Sequence, residues 1–118
     1  MILAGVVWAQ PRLAVDRDVA NMGEIMFQLP SKVNFTLRNT GTDPLSITEV
    51  IPSCGCTAVD WTHELIAPGA EGTITAIYDA KMLGVFQKDL GVYTNASDEP
   101  VYLHIQGRVV SKLSDYSG

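Results

Sequence analysis

Ser53-Cys54-Gly55-Cys56-Thr57 holds the only two cysteines of this 118-residue chain, separated by a single glycine. A glycine between two thiols permits a positive φ, so both sulfurs can turn toward one point, as a metal ion, a short disulfide or a reactive pair requires. As a structural staple the pair is weak. In the chain-entropy treatment a loop of three residues is worth only about 1.6 kcal/mol, and ring strain offsets part of that. The same strain suits a labile, redox-active disulfide, with Cys54 as the attacking thiol, Cys56 as the resolving thiol and Gly55 as the hinge. Two thiolates can also hold Cu(I), or share Zn(II) with added ligands. Zinc takes four ligands, and the sequence offers only His63 nearby, with His104 able to approach across strands. The remaining reading is two small thiols shaping a tight bend, with no cofactor at all.

The other polar residues propose no catalytic constellation. Glu64, Glu71, Asp79, Asp89, Asp98 and Glu99 are spread through turns and outward strand positions, as solvated groups are. Ser53 lacks the Gly-x-Ser-x-Gly context of a hydrolase nucleophile. His63 lies in the loop Trp61-Thr62-His63-Glu64, where it is either solvated or a third partner of the thiols. Trp61 reads as a core or rim aromatic beside the cysteine motif, the alternative being a ligand platform. His104 falls on the outward face of a strand. Asn34-Phe35-Thr36 and Asn95-Ala96-Ser97 match the glycosylation sequon, a pattern short enough to arise by chance. With no phosphate-cradling glycine loop and no calcium loop, the sequence points away from an enzyme.

The elements that must position the cysteines are strands. Lys32 to Arg38 alternates strictly, with Val33, Phe35 and Leu37 on one face. Asn39-Thr40-Gly41-Thr42-Asp43-Pro44 is dense in turn formers, and Leu45 to Val50 resumes extended chain with Leu45 and Ile47 inward. The cysteine motif follows Pro52, so Ser53 to Cys56 reads as a bend or bulge at a strand end. Thr57 to Trp61 forms a short strand, and Ala67 to Gly72 is a turn. Thr73 to Tyr78 points Ile74, Ala76 and Tyr78 inward. Val85 to Thr94 does the same with Phe86, Leu90 and Val92. The last strand buries Val101, Leu103, Ile105 and Val109, and turns Tyr102, His104, Gln106 and Arg108 outward. Turn signals at intervals of about ten residues, with no helical period, predict an all-β, antiparallel sandwich of about seven strands.

Length bounds the chain to one domain. An apolar fraction of 47% with 18% charged residues excludes a disordered chain. The net charge of −5, with eight scattered basic residues, argues against nucleic-acid binding. Residues 1–9 form a continuous apolar run too short to cross a bilayer as a helix. They read as the end of a truncated signal peptide, with Val7 and Ala9 at −3 and −1 of a cleavage before Gln10 and without a basic leading region. The alternative is a first strand. The expectation is a periplasmic or secreted protein with its domain over 10–110 and a polar tail over 111–118, without a membrane span in its mature form. No cysteine follows the run as a lipid anchor would need. Export would place the thiols in an oxidising compartment.

Three stretches together resemble a known family: Asn39-x-Gly41-x-x-Pro44-Leu45-x-Ile47-x-x-Val50, Ser53-Cys54-Gly55-Cys56-Thr57, and Pro68-Gly69-x-x-Gly72-x-Ile74. With Phe86-x-Lys88, Thr94-Asn95 and Leu103-x-Ile105-x-Gly107, the resemblance to the DUF1573 family extends from about Leu13 to Val110. The family commonly shows an aromatic-aspartate-Phe-Gly stretch where this chain has Ala20-Asn21-Met22-Gly23-Glu24-Ile25, keeping only the glycine and the isoleucine. The resemblance implies an exported bacterial protein with an immunoglobulin-like sandwich similar to the ASH and major-sperm-protein domains. It also implies a non-catalytic module that binds other proteins or a cell-envelope component. The competing class is a thiol-dependent protein that exchanges disulfides or handles copper.

Overall fold

A computed structural model of the protein describes residues 10–112. The first nine residues, on which the signal-peptide expectation rests, and most of the polar tail lie outside the described residues. Among the described residues eight strands are formed: β1 (Leu13–Val15), β2 (Val19–Met26), β3 (Ser31–Asn39), β4 (Ile47–Pro52), β5 (Thr57–Trp61), β6 (Glu71–Tyr78), β7 (Gly84–Thr94) and β8 (Val101–Val110). They build two four-stranded sheets, ordered β1-β3-β6-β5 and β2-β8-β7-β4. The inward faces bury Phe35, Leu37, Ile74, Leu90, Leu103 and Ile105 completely, each at 0% exposure. These are positions the period-2 alternation assigns to the core, because a strand with one wet face must place its apolar residues on the other.

Two features depart from the sequence expectation. The N-terminal segment supplies two strands, one to each sheet, with the charged run Asp16-Arg17-Asp18 at the crossing. The count is therefore eight rather than about seven. The sandwich is also not wholly antiparallel, since β2 runs parallel to β8. Strand direction depends on how distant segments meet, and no local pattern encodes it.

Both edge strands of this second sheet are bulged. A register shift between Ile47 and Glu49 lets Ile47 and Val50, three residues apart, both point inward. A second shift, between Asn21 and Glu24, contains Gly23 at φ 67° and does the same for Ala20 and Ile25.

Candidate functional site: the cysteine crossover and the neighbouring sheet face

The cysteine motif is the short connection between β4 and β5, and so carries the chain from an edge of one sheet to an edge of the other. It is a turn between strands, as Pro52 and Gly55 predict. Each end of it is tied down. The Ser53 amide donates to the Asp89 carbonyl at 2.8 Å, and the Asp89 amide donates to Ser53 Oγ at 3.0 Å. This extends the β4–β7 pairing by one residue. On the other side the Asp79 amide, just past β6, donates to the Cys56 carbonyl at 2.9 Å.

Cys54 and Cys56 are joined in a disulfide, with Cα atoms 5.3 Å apart. The Cys56 amide donates to Cys54 Sγ at 3.3 Å, and Cys56 Sγ lies 3.8 Å from Thr57 Oγ1. Cys56 packs against the core. Gly55 is exposed, is not among the glycines at positive φ, and has open space where a Cβ would stand. The expectation that Gly55 supplies a left-handed backbone is therefore not met: the bridge closes over an ordinary conformation.

Beneath the loop, Thr57 pairs in register with Tyr78, whose ring stacks on Phe86 with centroids 4.2 Å apart. Burial holds the Tyr78 hydroxyl above its ordinary 10.0, and the Asp79 charge adds to the shift.

The two histidines go elsewhere. His63 Nε2 lies 3.2 Å from Asp60 Oδ1, and its ring is 4.9 Å from that of Trp61. The Trp61 amide, first, and His63, second, hold the Asp60 carboxyl below its usual 3.8. Trp61 itself is half-buried against the core, as a rim aromatic is. Among the described residues no group of three or more His, Cys, Asp or Glu side chains is gathered as a metal would need. The bridged sulfurs offer no thiolate, so Cu(I) or zinc could be held by Cys54 and Cys56 only after reduction.

His104 is not simply solvated. Its Nδ1 is 2.6 Å from Asp89 Oδ1, directly across the β7–β8 register, and Asp89 is the residue that anchors Ser53. Ser53, Asp89 and His104 nevertheless lack the geometry of a hydrolytic triad. The serine oxygen accepts the Asp89 amide, whereas a triad needs it against the imidazole.

Beside the loop, on the outer face of the same sheet, Ile51, Gly91 and Tyr102 stand in one register row across β4, β7 and β8. Ile51 is 45% and Tyr102 57% exposed. The missing side chain of Gly91 leaves a hollow of about 240 Å³ also lined by Tyr93, Ser53 and Asp89, with no basic residue in its wall. Sequence reasoning identified Tyr102 and His104 as outward but could not find this hollow. Its members come from three strands whose register only the fold supplies. A larger hollow of about 340 Å³, near Gln10 and the turn after Thr94, is lined by no sulfur, histidine or acid.

Two stacked four-stranded sheets with a short disulfide in the crossover define an immunoglobulin-like sandwich module. Residues 13–109 match the family described as a protein of unknown function, DUF1573, and the chain belongs to that family. No protein of curated function matches it. Among solved structures, it is similar to a protein of unknown function from Porphyromonas gingivalis W83, with TM-score 0.75 and 16% identity over 88% of this chain and 50% of that one. It is also similar to the ASH / PapD-like domain 7 of human CEP192, with TM-score 0.68 and 10% identity over 96% and 95% of the two chains. A third likeness is to the Vibrio cholerae VesB protease, with TM-score 0.64 and 19% identity over 82% of this chain and 31% of that one. The chain thus spans half of the Porphyromonas protein and under a third of the protease, and these likenesses establish the fold.

Replacing both cysteines tests what the bridge contributes to the fold. Cys54→Ser combined with Cys56→Ser should lower stability by no more than about 1.6 kcal/mol, because so short a loop restrains the unfolded chain little. Thermal unfolding should stay cooperative with its midpoint reduced by about 10 °C or less. A doubly substituted protein that no longer folds would show that the bridge is a principal staple.

Proposed function

We propose that the protein is an exported, non-catalytic binding module. It holds an extended segment of a partner polypeptide, free or in the cell envelope, against β4 and the hollow over Gly91. The observation that carries this reading is the row of exposed Ile51, on the edge strand β4, and exposed Tyr102, on β8, flanking Gly91 on the outer face of the sheet. An edge strand presents unpaired backbone groups to an added strand, and an adjoining hollow accepts one of its side chains. Glu49 and Asp89 give this face an acidic character, which favours a partner segment with apolar and basic residues. The Cys54–Cys56 bridge supports export, since disulfides persist outside the cytosol. The net charge of −5 disfavours nucleic acid as the partner. Among the described residues no helix is long and apolar enough to cross a membrane.

Site-specific photo-cross-linking tests the proposal. A photoreactive residue at Ile51 or Tyr102 should trap a polypeptide in envelope fractions, whereas one at Lys32, exposed on the opposite sheet, should not. Gly91→Phe, which fills the hollow, should abolish the adduct without loss of folding. Equal adducts from both sheets, or none from either, would overturn it.

A further inference from the structure

We propose that Cys54–Cys56 is a thiol–disulfide exchange site that reacts with cysteine thiols of another polypeptide. Cys54 is the entry sulfur, Cys56 the leaving and resolving sulfur, and the Thr57 hydroxyl a positioning group for the leaving thiolate. This goes beyond the docking proposal and does not depend on it.

The two sulfurs are not equivalent. Cys56 packs against the hydrophobic core and Cys54 does not. Gly55, between them, is exposed, with nothing within 4 Å of its Cβ position, so the bridge is uncovered on that side. Both cysteines are half-buried, and because Cys56 is the one held against the core, Cys54 is assigned as the point of entry for an incoming thiolate. Each sulfur also has a fixed hydrogen-bond donor ready for the negative charge it would carry. The Cys56 amide already points at Cys54 Sγ at 3.3 Å. Thr57 Oγ1, on a side chain only 5% exposed, stands 3.8 Å from Cys56 Sγ. The backbone clamps from Asp89 to Ser53 and from Asp79 to Cys56 hold both ends of the loop. Opening the bond thus leaves the sulfurs facing each other, ready to close again.

The exchange balances in two steps. A partner thiolate attacks Cys54 Sγ. A partner-S–Sγ bond forms, the Cys54–Cys56 bond breaks, and its electron pair leaves on Cys56 as a thiolate that accepts the Thr57 hydroxyl. A second thiolate of the same partner then attacks the partner sulfur of the mixed disulfide and expels Cys54 as a thiolate bonded to the Cys56 amide. The partner dithiol is oxidised by two electrons, this bridge is reduced by two, and the two protons released by the partner finish on Cys54 and Cys56. The reverse path oxidises the loop. One bridge reacts once per event, as a stoichiometric exchange without turnover.

The test uses the intact oxidised protein, a reduced two-cysteine peptide and, separately, glutathione, with acid quenching and intact-mass readout. The wild type should gain two hydrogens and exchange faster with the peptide than with glutathione. Cys56→Ser, offered the oxidised peptide, should accumulate a mixed disulfide on Cys54, and Cys54→Ser should accumulate about tenfold less on Cys56. Thr57→Val should slow the attack about fivefold, and Thr57→Ser should restore it. In the Cys54→Ser background, Thr57→Val should also move the pH profile of Cys56 alkylation upward, which a merely structural threonine would not do. A bridge that survives both reductants for hours, while a denatured sample is reduced, would overturn the proposal. So would equal trapping at the two cysteines, or unchanged kinetics in Thr57→Val. Reaction with glutathione alone would overturn the assignment of a polypeptide partner.

Discussion

Asn39→Ala should remove about 3–5 kcal/mol of folding stability, as much as truncating a large side chain of the hydrophobic core. Asn39 is completely buried and uses its whole amide. Its Nδ2 donates to the Asp43 carbonyl at 2.7 Å and to the Ile66 carbonyl at 2.9 Å. Its Oδ1 accepts the Gly41 amide at 2.9 Å and the Arg12 amide at 3.3 Å. One side chain thus joins the segment before β1, the turn after β3 and the loop before β6. An alanine would leave the Arg12 and Gly41 amides and the Asp43 carbonyl without partners, while the Ile66 carbonyl would keep only the Leu45 amide at 2.9 Å. Each buried group that loses its hydrogen bond costs about 1–3 kcal/mol, reduced where water can reach it. Against a typical stability of about 5–15 kcal/mol, the loss is a large share of the whole. Urea unfolding of the purified variant measures it, and a loss below about 1 kcal/mol would show that water replaces the amide without penalty. Asn39→Asp is the sharper control. It preserves shape but turns two donors toward carbonyls into acceptors, so near neutral pH it should be as damaging as alanine.

Gly41→Ala should cost about 2–4 kcal/mol, by a different route. A Cβ at Gly41 would overlap the Gln10 carbonyl oxygen and stand 2.5 Å from the Arg12 amide nitrogen and 2.7 Å from the Pro11 carbonyl carbon. All three are backbone atoms, so no side chain can swing aside. The segment 10–12 would have to lift away. It would surrender the bonds from the Thr40 amide to the Arg12 carbonyl and from the Thr42 amide to the Gln10 carbonyl, both 2.9 Å. Because that segment also holds the Arg12 amide against Asn39 Oδ1, the two substitutions share an interaction. The Asn39→Ala, Gly41→Ala double variant should therefore lose less than the sum of the single losses, by about 1 kcal/mol. Strict additivity in a double-mutant cycle would mean that the segment stays in place and the clash is relieved elsewhere.

These two residues also show where sequence reading stops. Asn39 and Gly41 are legible as turn formers, since both types favour turns for local reasons. That Asn39 is a buried hub is not legible, because Arg12 and Ile66 are each 27 positions away. The cysteine motif divides in the same way. Its place at a strand end follows from Pro52 and the strands on either side. Its clamp to Asp89 depends on the β4–β7 register, its clamp to Asp79 on the β5–β6 register, and the pairing of His104 with Asp89 on the β7–β8 register.

The sequence by itself determined the strands whose apolar residues fall at every second position, notably β3, β6, β7 and the core of β8. It determined the turns between them and the identity of the family. Alternation is a local consequence of burying one face, so it survives in one dimension. Only the tertiary structure decided that β2 runs parallel to β8, that Ile47 and Val50 share a face through a bulge, and that Ile51, Gly91 and Tyr102 form one row. Each of these depends on the direction or register in which remote segments meet. Such pairings are selected by the packing of the whole core, and no short stretch of the chain carries them.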